Sequence, residues 1–285
     1  GITLSCRATG QRGAPVLVFL HGFPEAAFVW DELLEHFALP ENGGYRCVAP
    51  NLRGYEKSSQ PGDVKQYRVK YLLQDIAGLI GVERKPLHCL IAHDWGGAVA
   101  WNLANQMPEL TQKLAIINSP HPGTFLRDLK SSPQQQAASA YMNFLIRPDA
   151  EQLLREDDYR RLWEFFRRWS GAPWLTPSLE QQYREVWDAS LTGGLNYYRA
   201  SPLRPAAAGD AAAQAIDLPT EMLTISVPTL VLWAMEDAAL LPGLVEGLDG
   251  FIPQLTLEKV AGASHWIVHE QPALVAQRLG RFIAA

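Results

Sequence analysis

The sequence predicts an α/β fold, a mostly parallel central sheet flanked by helices, interrupted once by an all-helical insertion. Three observations predict it. A short unbroken apolar run at residues 15–20 reads as a strand buried on both faces, and the mainly apolar runs at 113–117 and 227–233 read as further strands. Between them, residues 25–38, 68–80 and 95–107 carry apolar positions at helical spacing. From His121 to about Ser226 the strand pattern stops and only helical segments follow. Strands alternating with helices imply parallel pairing with right-handed crossovers. The expected division is a first core part at 1–121, a helical cap at 122–226 and a second core part at 227–285.

Composition limits the functions this chain can have. At 285 residues, with 47% hydrophobic and 19% charged residues, it can bury a sizeable core. A net charge of −5 gives no reason to expect nucleic acid or an anionic membrane as partner. Three cysteines cannot all pair, and Cys47 and Cys89 fall in core strands, so a cytoplasmic chain with buried thiols is expected. No Cys or His spacing suits a metal, and no apolar run of about 18 residues suggests a membrane span. The first residue is Gly1 rather than Met, as expected of a trimmed chain.

The first half of the core reads as follows. Residues 2–8 alternate apolar and polar, as a half-buried strand does. The buried strand at 15–20 ends in His21-Gly22-Phe23-Pro24, a tight turn whose Phe23–Pro24 bond is a candidate for cis. A helix over 25–38 follows, with Phe28, Trp30, Leu33, Leu34 and Phe37 on one face and Pro40 beyond its end. Residues 45–50 form the next strand and 68–80 the next amphipathic helix.

The stretch from Leu87 to Ala100 then organises the rest. A short apolar run meets Asp94 and continues as a helix to Met107, stopped by Pro108. Ala92 and Gly96 lie two residues to either side of Asp94. A backbone bent that sharply admits only small side chains there, which is the pattern of a nucleophile elbow. An aspartate at the start of a helix is also a common N-cap. As a nucleophile, though, a carboxylate has a definite use. Attack on a saturated carbon gives an ester, which water can cleave at its carbonyl, whereas a serine would end as an inert ether. The electrophile is then an epoxide or an alkyl halide. The backbone N–H groups of Phe23 and Trp95 are the expected oxyanion donors.

In the insertion, the expected helices are 134–146, 149–155, 157–169 and 178–189, with Asp149 and Thr176 as N-caps and Pro177 in a first helical position. The Ala-rich stretch 206–216 is a surface loop or short fraying helix. Aromatic residues, among them Tyr141, Phe144, Trp163, Phe165, Phe166, Trp169 and Tyr198, would wall an apolar pocket. In the second core part, the strand at 227–233 leads to Asp237, the candidate acid, with Glu236 its competitor. The strand at 254–260 leads to His265, the candidate base, before a closing helix at 271–283. The chain order is nucleophile, acid, histidine.

Five motifs, HGFP at His21, HDWGG at His93, NSPHP at Asn118, the segment Trp233 to Asp237, and GASHW at Gly262, resemble the α/β-hydrolase-fold epoxide hydrolases. The resemblance spans the chain and implies that fold with an inserted helical cap. It also implies two cap tyrosines that hydrogen-bond the epoxide oxygen. Tyr141, followed by Phe144 and Pro148, matches the first motif; Tyr198, immediately before Arg199, matches the second, with Tyr197 the alternative. Asp94, Asp237 and His265 would be the triad, Phe23, Trp95 and Trp266 would meet substrate, and no metal or organic cofactor would be needed. Three positions depart from the pattern: Glu56 where a Gly is usual, Asn51 for Asp, and Ala234 for Gly. The expected reaction turns an apolar epoxide and water into a vicinal diol through an ester on Asp94. The alternative is a haloalkane dehalogenase with the same nucleophile, which Phe23 disfavours because its side chain cannot donate to a halide. A binding protein without turnover ranks lower, and a homodimer is left open.

Overall fold

The computed structural model describes every residue except Lys85 and Gly171; side chains at 168–170, including Trp169, lie outside the description. Seven strands form one sheet: β1 (Cys6–Thr9), β2 (Val16–Leu20), β3 (Arg46–Pro50), β4 (Cys89–His93), β5 (Leu114–Ile117), β6 (Thr229–Ala234) and β7 (Leu255–Val260). Their order is β1-β3-β2-β4-β5-β6-β7, and only β1 runs antiparallel to its neighbour. The chain thus reverses its direction of travel across the sheet next to β2, and β2 and β4 lie side by side at the centre. Loops leaving the carboxyl ends of adjacent parallel strands meet there, which is where such sheets build sites. Every residue of β2, β4, β5 and β6 is buried, in keeping with their mainly apolar runs.

Five helices pack on the core: α1 (Asp31–Ala38), α2 (Val69–Glu83), α3 (Trp95–Gln106), then α9 (Ile267–Glu270) and α10 (Pro272–Ala284) after the last strand. Between β5 and β6 lie α4 (Pro122–Ser131), α5 (Pro133–Ala138), α6 (Tyr141–Leu145), α7 (Ala150–Ser170) and α8 (Pro177–Ala200). No helix among the described residues is long and apolar enough to cross a membrane. All three cysteines are free, and Cys47 and Cys89 are buried.

Several boundaries differ from expectation, each for a local reason. β1 begins at Cys6 instead of residue 2, because Thr3 and Ser5 spend their N–H groups on the Ser59 and Ser58 hydroxyls. The segment 134–146 breaks into α5 and α6 at Ser139. The stretches 149–155 and 157–169 are two helical pieces as expected, together named α7, parted by a kink at Glu156 to Tyr159 where the backbone angles are non-helical. Asp149 does not cap it; its carboxylate is held by Arg147. Thr176 does cap α8, accepting from the Leu179 N–H at 3.2 Å, with Pro177 in the first turn. That helix runs eleven residues past its expected end, through a kink at Ser190 and then through Gly193 and Gly194. These glycines serve contact, not termination. A β-carbon on Gly193 would sit 1.9 Å from the Gly54 carbonyl oxygen, so α8 rests backbone to backbone on the core.

Two of the three family departures compensate one another. The Asn51 side-chain amide donates to the Glu56 carboxylate. An aspartate at 51 would set two carboxylates together, so the Glu at 56 goes with the Asn.

Candidate active site

Asp94 ends β4 in an unusual backbone conformation, φ 49° and ψ −124°, and its side chain makes no capping bond to α3. The N-cap reading is thereby set aside. Neighbouring atoms leave no room for anything but small residues. A β-carbon on Gly96 would lie 2.3 Å from the Leu20 carbonyl oxygen, and one on Gly22 would lie 2.1 Å from Asp94 Oδ1. The carboxylate therefore projects over the end of β2, where the Phe23 N–H donates to Oδ1 at 2.8 Å. Trp95 is the first residue of α3, where an N–H has no carbonyl within its own helix to bond. The Phe23–Pro24 bond is cis. His21 braces the loop: its Nδ1 donates to the Gly22 carbonyl and its Nε2 accepts from the Leu52 N–H. Burial lowers His21 to about 4, so it stays neutral.

Asp94 Oδ2 lies 3.7 Å from His265 Nε2. On the other side of that ring, Nδ1 meets Asp237 Oδ2 at 2.6 Å. Asp237 is buried and fully bonded, accepting from the Asn118 amide and the Ala239 and Leu240 N–H groups. Burial alone would raise its pKa, but His265 and these donors lower it. For His265 burial opposes the charge, yet Asp237, then Asp94 and Glu25, raise it to about 9. Glu236 is exposed and accepts from the Gly262 N–H, which removes it as a competitor.

Asp94, Trp95, Tyr141 and Tyr198 line one chamber of about 100 Å³. The two phenol rings are 6.2 Å apart, and Tyr198 also packs edge-on against Trp95 and Phe23. Burial raises both phenols well above their ordinary value, with the charge of Asp94 next for Tyr141, and Tyr141 then Asp94 next for Tyr198, so each is a proton donor. Tyr197 is turned away and donates to the Arg53 carbonyl at 2.8 Å, where it anchors α8. Tyr141 also borders a cavity of about 630 Å³ with Phe144 and Phe165, while Val69, Trp95 and Leu203 border one of about 540 Å³ on the opposite side. Trp266 does not reach the chamber. It is buried against Phe166 and its indole N–H donates to the Phe165 carbonyl. No cluster of His, Cys, Asp and Glu among the described residues could hold a metal.

A second buried layer was missed in the sequence. Glu25, read only as the start of a helix, accepts from the Tyr183 hydroxyl at 2.9 Å and contacts His269 at 3.0 Å and His93 at 3.2 Å. Burial acts against its charge, but the bonds from His269 and His93 hold it well below the usual carboxylate range. His93 Nε2 faces the His265 carbonyl at 2.9 Å. That oxygen can only accept, so this nitrogen carries a proton. The residue after HGFP was the available signal: an acid placed directly after a buried turn.

The sequence profile of a family described as alpha/beta hydrolase fold matches residues 15–272. The AB hydrolase superfamily protein YfhM of Bacillus subtilis (strain 168) is 36% identical, over 99% of this chain and 95% of its own. Epoxide hydrolase 4 of Mus musculus is 30% identical, over 99% of this chain and 77% of its own. Among solved structures, an epoxide hydrolase of Bacillus megaterium in complex with an inhibitor matches with a TM-score of 0.90 at 28% identity, covering 100% of this chain and 98% of that one. With the same fold, family-wide sequence similarity and a carboxylate on the elbow, the chain belongs to the α/β-hydrolase-fold epoxide hydrolases.

Proposed function

We propose that the protein hydrolyses an epoxide to a vicinal diol through a covalent ester on Asp94. Residues 122–226 act as a cap that closes the chamber over the two core parts, 1–121 and 227–285. The observation that carries the reading is a division of labour in one carboxylate: Oδ1 is held by the Phe23 N–H, and Oδ2 is left facing the chamber and His265.

The steps follow from that arrangement. Tyr141 and Tyr198 donate to the epoxide oxygen and stabilise the alkoxide that develops as the ring opens. Asp94 Oδ2 forms the new bond to carbon while the carbon–oxygen bond of the ring breaks, and the alkoxide takes a proton from one of the two tyrosines. Asp94 has now lost its charge, so one of the influences that raise His265 disappears and the imidazole becomes a better base for its turn in the reaction. His265, oriented by Asp237, removes a proton from water, whose oxygen attacks the ester carbonyl. The N–H groups of Phe23 and Trp95 receive charge on Oδ1, and collapse breaks the acyl–Oδ2 bond as His265 returns its proton to the departing oxygen; the acid left on Asp94 gives up its proton to restore the tyrosine. The diol leaves with one oxygen from the epoxide and one from Asp94. One water is consumed, no net proton is released, and no residue of the scheme needs a cofactor. The aromatic walls suit an apolar substrate.

A single turnover with enzyme in excess, in heavy-oxygen water, tests the scheme. The first diol should carry ordinary oxygen, with the label retained in Asp94 and released only on later turnovers. Label in the first diol would reject the ester.

A further inference from the structure

Along α3 the chamber wall is made by Trp95, Ala98 and Asn102, spaced to share one helix face. Asn102 lies seven residues, and so about 10 Å, along the helix from Trp95. It borders both the chamber and the cavity of about 540 Å³ beside Val69 and Leu203, so it stands where one opens into the other. An asparagine in a helix interior is a poor helix former, and a leucine would suit apolar walls better. Its orientation is fixed. The Nδ2 group donates to the Ala98 carbonyl at 2.8 Å, which leaves Oδ1 as the end facing the opening, with no protein donor among the described residues. Ser201 borders the same two spaces; its Oγ accepts from the Leu203 N–H at 3.2 Å and keeps its own proton available. The junction therefore offers a neutral acceptor and a hydroxyl; Asp94 is the only charged side chain lining the chamber among the described residues, and Arg68, Arg199 and Arg204 line the cavity beyond.

We infer that Asn102 is a specificity-determining residue, selecting epoxides that carry a hydroxyl on the substituent lying along α3. The inference rests on the epoxide reading above. A hydroxyl both donates, to Asn102 Oδ1, and accepts, from Ser201. An ammonium on the same arm would have to shed its water beside a cavity whose charged lining, Arg68, Arg199 and Arg204, is cationic. The substituent must be several atoms long to span the distance from Asp94.

The test compares terminal epoxides whose arms end in a hydroxyl with the same arms capped as methyl ethers, over a series of increasing length. The ether keeps the oxygen and loses the donor. In the wild-type protein the ratio of kcat/KM, hydroxyl over ether, should reach about three to ten at an intermediate length, the effect of one neutral hydrogen bond. In Asn102→Leu and Asn102→Ala the ratio should fall to about one. Each ratio is internal to one protein, so a general loss of activity in a variant does not mask it, and should the Leu variant fail to fold, the Ala variant and the wild-type ratio still decide. A wild-type ratio near one at every length, or a preference surviving in a folded variant, overturns the assignment. An unsubstituted alkyl epoxide is run beside them; if that gives no diol, it is the epoxide reading that has failed.

Discussion

At the scale of single residues, the site is an electrostatic arrangement around His265. Two carboxylates approach its ring, one at each nitrogen, and they raise it to about 9 although burial pulls the other way. At neutral pH the resting imidazole is protonated and cannot act as a base. In the proposed scheme the ester step resolves this by neutralising Asp94. Asp94→Asn imitates that change without substrate. Its His265 should titrate at a lower pH than in the wild type, still above what burial alone would give because Asp237 remains. Following the imidazole carbon-bound protons by NMR from pH 5 to pH 10 measures the difference. An unchanged or higher midpoint in the variant would show that Asp94 does not act on the base.

At the scale of elements, the chamber depends on how closely α8 approaches the core, since Tyr197 anchors that helix and Tyr198 beside it faces the site. Gly193→Ala should force α8 off Gly54 and lower stability by about 1–3 kcal/mol, as overpacking does. It should also reduce kcat by moving Tyr198. Gly78→Ala gives the opposite sign: it lies exposed in α2 with nothing near its missing β-carbon, so it should stabilise by about 0.5–1 kcal/mol. Denaturant unfolding of both variants checks the pair; if both shift the same way, the close contact is not what holds α8. The contrast also explains what could be read from sequence. Both glycine types look alike in a helical pattern, and residues 193–194 were taken as beyond the helix end. Strands and elbow were legible because burial on both faces and a tight turn each leave a local mark. Asp94, Asp237 and His265 could be singled out by their places at the ends of core strands, whereas Tyr141 and Tyr198 came only with the family resemblance. Trp266 could not be placed, because the direction in which a loop aromatic points is set by the insertion packed on it. The break between α5 and α6 was hidden, whereas the one inside α7 was legible, since helices ending at 155 and restarting at 157 were expected there.

At the scale of the whole molecule, one buried carboxylate joins parts of the chain that are far apart in sequence. Glu25 follows the turn after β2; Tyr183 reaches it from the insertion, His269 from α9, and His93 from β4, whose ring continues to the carbonyl of His265. The insertion, the sheet and the loop that carries His265 thus meet at a single charge. Glu25→Gln leaves one acceptor oxygen where two were used and turns an N–H₂ group towards donors, so at pH 7 it should cost about 1–3 kcal/mol, the usual result of leaving buried polar groups without partners. The pH dependence carries a definite sign. Because the folded protein holds Glu25 well below its ordinary 4.5, the charge contributes its full stabilisation above that value, and the contribution is lost as pH falls towards the depressed native pKa. The stability gap between wild type and Glu25→Gln should therefore be level from about pH 7 to pH 5 and narrow below pH 4.5. Urea unfolding of both proteins across that range measures the gap directly. A gap that stays constant into acid would mean that Glu25 is held as the neutral acid, and that hydrogen bonding alone fastens the insertion to the core.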